Sequence, residues 1–107
     1  MFSFVWKNVT FGNKVYEMYS VSHSGTVVDN NNGKVIPEFI DSHGNVCVNL
    51  YIDKVIIPLR LDYIVLSSHF RKPIIGENVC IHINGKSNEC RLMNLEWGVC
   101  KLSLIHI

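Results

Sequence analysis

Three absences set the first limits on this chain. Nowhere in its 107 residues is there anything near the roughly 18 uninterrupted apolar residues of a membrane-spanning helix. The apolar opening Met1 to Trp6 is ended by Lys7, well short of the core of a secretion signal. A surplus of one charge sign is also missing: ten Lys and Arg against nine Asp and Glu leave a formal charge of +1. The overall basicity that marks many polyanion binders is therefore not there. Cys47, Cys80, Cys90 and Cys100 contain no C-x-x-C pair. With no secretory segment, the four read as reduced thiols, not as a disulfide framework. A zinc site built from Cys80, His82, Cys90 and Cys100 is the alternative, and it would need Cys80 and His82 to act from one face of a strand. No linker, low-complexity tract or internal repeat interrupts the sequence. Together these features predict one soluble, intracellular domain.

A hydrophobic content of 48% is ample for a packed core at this length. In the first half, turn residues recur at short intervals: Ser24-Gly25, Asn30 to Gly33, and Asp41 to Asn45. Between them lie runs rich in Val, Ile and Tyr at Tyr19–Val21, Thr26–Val28, Lys34–Ile36, Val46–Ile52 and Val55–Leu61. Val46, Val48, Leu50 and Ile52 alternate with Cys47, Asn49 and Tyr51, the period of a half-buried strand. The pattern predicts an antiparallel meander. From Asp62 to Phe70 the apolar positions 63, 66 and 70 follow a cap-type residue, which predicts a short helix stopped before Pro73. Val79–Ile83 then reads as a strand ending in the turn Asn84-Gly85. A polar loop, a second short strand around Glu96–Val99 and one or two helical turns complete the chain. The fold class expected is α+β: a small antiparallel β-meander with a short helix, followed by a ββα finger. The expected boundaries are 1–72 and 73–107 within one compact unit.

Two stretches carry a resemblance. His82-Ile-Asn-Gly85 and, twelve residues after the histidine, Asn94-Leu-Glu-Trp97 resemble the core of HNH homing endonucleases of the phage and intron type. Trp6-Lys7, then Tyr19-Ser-Val-Ser-His-Ser-Gly-Thr-Val27, then Tyr63 to Phe70 are similar to the NUMOD-like module that commonly precedes such cores. The order is kept along nearly the whole chain. The resemblance implies a ββα-metal finger and a nucleic-acid partner, DNA ahead of RNA. It gives His82 the place of the general base and Asn94 that of the loop-orienting residue.

The departures bear on activity. Ile81 stands where the family often has a metal-binding Asp or Asn, and Ser103 where it has another Asn or His; Tyr63 replaces the helix histidine. His106 matches a histidine often found three residues past the second ligand position. Ser103 and His106 are thus vestigial metal candidates. No cofactor is expected, with magnesium or manganese the ion of an active site. Ile81 offers no oxygen, and a serine is a weak ligand for a hard cation. A base without its Lewis acid forfeits several kcal/mol of transition-state stabilisation. The expectation is a nucleic-acid binder with an impaired metal site. Its rivals are an active nuclease using Asn84, Ser103 or His106, and a protein-interaction subunit of a larger assembly. From Arg60 onward six basic residues face four acids, against four and five before it. Lys86, Arg91 and Lys101, with Arg71 and Lys72 at the edge, are the candidate phosphate contacts. Trp6 and Trp97 read as core aromatics.

Overall fold

Tight turns at glycine and Asx positions lay out the sheets. The computed structural model describes residues 6–11, 13–77 and 79–99. β1 (Trp6–Phe11), β2 (Lys14–Ser22) and β3 (Val27–Asp29) form an antiparallel sheet in that order, with a bulge between Asn8 and Val9. The turn into β3 needs glycine twice over. Gly25 has φ +93°, and a side chain there would stand 3.1 Å from the carbonyl oxygen of Cys90. This close approach brings the first sheet against the later loop.

β4 (Glu38–Ile40), β5 (Val46–Ile52) and β6 (Val55–Arg60) form the second antiparallel sheet. Asp41 starts the β4–β5 turn by accepting the amides of His43 and Asn45 at 2.8 and 2.9 Å. β5 and β6 are joined by the two-residue loop Asp53-Lys54, with φ of 52° and 66°, the backbone of a type I′ hairpin without its usual glycine. Val46, Val48 and Leu50 are buried while Asn49 and Tyr51 are exposed, as the alternation predicts, but Cys47 departs from it and is buried as well, its thiol turned to Asp41. Lys34–Ile36 differs from expectation: it makes only an isolated bridge, Val28 to Val35. Pro37 has no amide to donate, and pairing resumes beyond it in β4.

Helix α1 (Leu61–His69) leaves β6 without a loop. Arg60, with φ −71° and ψ 131°, occupies the cap position and makes no side-chain cap bond. Asp62 is therefore not the cap that the sequence suggests; it lies inside the first turn, buried. Leu61, Ile64, Val65 and Leu66 are buried, whereas Phe70 turns outward, 59% exposed. The expected stripe at 63, 66 and 70 is widened because α1 packs against both large sheets and against β7 (Val79–His82) and β8 (Leu95–Gly98). A helix enclosed on several sides buries more than one stripe.

β7 and β8 pair antiparallel, from Val79 with Gly98 to His82 with Leu95, and a single 3-10 turn at Leu92–Asn94 leads into β8. The segment from Cys100 onward, where the last helical turns of the finger were expected, lies outside the described residues. One apolar cluster joins all parts: Val9, Val21, Val27, Val48, Leu50, Ile64, Leu66, Leu95 and Trp97 belong to it. The architecture is a small α+β fold with α1 at its centre. Among the described residues no helix is long and apolar enough to cross a membrane.

Candidate functional site

Alternation along β7 decides which side chains reach the interior. Cys80 and His82 share the face turned to α1, and Ile81 points the other way, into the space left by the missing side chain of Gly98. His82 is nearly enclosed, its side chain 10% exposed. Its Nε2 donates to Asp62 Oδ2 at 2.9 Å, and its Nδ1 lies 3.1 Å from the carbonyl oxygen of Glu89. Asp62, with a side chain 4% exposed, is held by three further donors. Arg60 Nη2 reaches Oδ2 at 2.6 Å, Arg60 Nε reaches Oδ1 at 3.2 Å, and the Tyr63 amide reaches Oδ1 at 2.7 Å.

Asn94 stands behind this line of contacts. It is buried, and its Oδ1 accepts the Asn84 amide at 3.0 Å. Its Nδ2 donates to Asn84 Oδ1 at 3.0 Å and to the Glu89 carbonyl at 2.9 Å. The Glu89 oxygen therefore serves both Asn94 and His82, within the two lone pairs that a carbonyl offers. The polar loop between the finger strands is fixed from inside by one asparagine. Asn84 spends the rest of its amide on Lys86 N and Glu89 Oε2.

The thiols near this site are free. Burial, reinforced by the charge of Asp62, pushes Cys80 and Cys90 up to about 12, so both stay protonated at neutral pH. Cys47 is also free, and its thiol is raised, again chiefly by burial. A thiol that holds its proton is a poor nucleophile. Among the described residues no three His, Cys, Asp or Glu side chains converge as a metal cage. Ile81 contributes no oxygen, and Ser103, His106, Cys100 and Lys101 lie outside the described residues.

The candidate phosphate contacts differ in availability. Lys86 is exposed on the finger loop. Arg91 is 61% exposed at its side chain and leans on Glu89 Oε2 at 3.4 Å. Arg71 forms a two-pronged pair with Glu77, at 2.6 and 2.9 Å, and its guanidinium lies 4.8 Å from the Phe70 ring centre. Glu77, so paired and bonded to the Ile74 amide, is held down to about 2. Lys72 follows Arg71 on the same connecting segment.

The two tryptophans separate. Trp97 is buried and meets Tyr63 edge to face at 4.8 Å, with Phe11 on the other side of Tyr63 at 4.4 Å. Its Nε1 donates to the Arg71 carbonyl at 2.9 Å, tying β8 to the end of α1. Trp6 is 44% exposed and lines an open groove with Ser22, Thr26 and Val35, so it is not the core aromatic expected. Asp62 is the residue that sequence reasoning missed. It looked like a helix cap, and nothing local to it signals a partner 20 residues away.

No family model and no curated protein matches the chain. A solved structure of the HNH homing endonuclease I-HmuI, described by its DNA binding and cleavage, superposes on 95% of this chain with a TM-score of 0.75 at 22% sequence identity. The match spans 56% of that nuclease's chain, so this sequence corresponds to little more than half of it. The likeness establishes that this protein shares its fold with the matching part of an HNH homing endonuclease.

Proposed function

We propose that the chain is a DNA-binding module of HNH type that holds nucleic acid without cutting it efficiently. This reading is supported by the superposition, over nearly the whole chain, on a nuclease described by its DNA binding and cleavage, and by Ile81 where the family that the chain resembles often has a metal-binding Asp or Asn. The DNA partner comes from the likeness in fold. The loss of cutting comes from the side chains: a hard divalent cation requires oxygen ligands, and an aliphatic residue supplies none. Of the unusual ligands a cutting enzyme would need, Asn84 already uses its side-chain oxygen on Asn94 and Lys86.

Binding then rests on the cations of the finger, Lys86, Arg91 and Lys101, with Arg71 and Lys72 at the edge. A duplex-retention assay across salt, paired with plasmid nicking in magnesium and in manganese, tests both halves. Retention that weakens steeply with salt, with no nicking, is the expected result. Metal-dependent nicking abolished by His82→Ala would make the protein an enzyme. No retention at low salt would remove the nucleic acid.

One observation favours a second reading, a protein-docking subunit. Tyr51 and Ile56 are cross-strand neighbours on the outer face of the second sheet, and they are 56% and 62% exposed. Apolar surface of this kind suits a protein partner in an assembly.

A further inference from the structure

His82 is engaged at both ring nitrogens by oxygen atoms. The Glu89 carbonyl can only accept a hydrogen bond, and so can an ionised carboxylate. Neither neighbour can donate to the ring, so the hydrogen on Nε2 is committed to Asp62 and Nδ1 faces a carbonyl oxygen. The two neighbours are themselves fixed. The Arg60 guanidinium closes on both oxygens of Asp62, and the Tyr63 amide adds a third donor. On the other side Asn94 Nδ2 pins the Glu89 carbonyl. A continuous line of contacts thus runs from the end of β6, through the first turn of α1, into the finger loop.

A carboxylate in the first turn of a helix gains from the helix dipole while fully solvated. Asp62 instead is 3% exposed and gives one of its oxygens to a side chain of the finger. Burial of this kind is costly unless the charge is paired and hydrogen-bonded, and each of its contacts meets that requirement. Of the other groups around the pair, Arg60 is its cation, and the raised thiols of Cys47, Cys80 and Cys90 supply no competing charge.

We propose that Asp62 is the positioning residue of His82: it clasps the finger to α1 and occupies the ring nitrogen that a water or phosphate would need. The histidine becomes a structural donor, and its silence as a base has a cause in this chain separate from Ile81. Geometry alone carries this assignment, and it stands whether or not the protein binds DNA.

The test is a long-range proton–nitrogen correlation spectrum of the His82 ring in the intact chain at neutral pH, assigned by its loss in His82→Gln. Nε2 should appear as hydrogen-bearing. Asp62→Asn keeps the shape but removes the charge, and the Nε2 resonance should move. Because Asp62→Ala leaves a buried hole and risks the fold, the second measurement is a denaturation cycle on Asp62→Asn, His82→Gln and the pair. A coupling of about tenfold or more in the folding equilibrium is expected. A wild-type Nε2 without hydrogen overturns the proposal, as do substitutions whose effects simply add.

Discussion

The hydroxyl of Tyr19 takes the place of a missing strand beside Tyr51. It accepts the Tyr51 amide at 2.9 Å and donates to the Tyr51 carbonyl at 3.2 Å, from a side chain on the other sheet. β4 pairs with β5 only as far as Val48, so among the described residues that edge of β5 has no strand partner at Tyr51. One phenol closes the edge and joins the two sheets.

Tyr19→Phe leaves both backbone groups without this partner while the ring still fills the core. A loss of about 1–3 kcal/mol is expected in urea denaturation. DNA retention should be unchanged, since none of the exposed cations is involved.

Trp97 has two separable roles, ring packing on Tyr63 and the bond to the Arg71 carbonyl. Trp97→Ala is expected to lose about 3–5 kcal/mol and to leave a chain that is largely unfolded on warming. Trp97→Phe keeps an aromatic ring against Tyr63 and should lose only about 0.5–1.5 kcal/mol. Equal melting temperatures for the two variants would contradict this division.

Ser67 is buried, and its hydroxyl has no partner among the described residues. Removing an unsatisfied polar group relieves a desolvation cost. Ser67→Ala should melt at or above the wild-type temperature; a clear loss would reveal a partner for the hydroxyl.

His69 and Glu77 predict two acid-sensitive windows. His69 is lowered below its ordinary 6.5, chiefly by burial, so the folded state prefers the neutral ring. The unfolded chain then binds the proton more tightly, and stability falls as pH drops below 6.5. Glu77, at about 2 against an ordinary 4.5, adds stability above pH 4.5 that is lost as pH falls toward 2. Melting temperature followed from about pH 7.5 to about pH 3 should decline in both ranges. His69→Gln should flatten the upper range and Glu77→Gln the lower one.

Salt dependence reports on the cations. A slope of about −0.9 per neutralised phosphate makes three or four contacts worth about tenfold or more between low and physiological salt. Replacing Lys86, Arg91 and Lys101 together with Ala should flatten that slope and weaken retention on every duplex alike. A sequence-dependent loss would instead assign these residues to base reading.

The sequence by itself determined what is local. Turn residues at Gly25, Asp41 and Asn84-Gly85 placed the strand ends, and period-two alternation set the buried face of Val46–Leu50. The spacing of His82 and Asn94 pointed to the finger. Each of these signals acts over a few residues, where backbone preference and side-chain period dominate. Tertiary structure decided the rest. It took Asp62 from a helix cap to the partner of His82, 20 residues on. It paired Arg71 with Glu77. It turned Phe70 and Trp6 outward and chose Tyr63 as the partner of Trp97, whose place in the core the sequence already indicated. Charge and apolarity say only that a side chain wants a partner; which partner it meets depends on how α1 packs between the sheets and the finger.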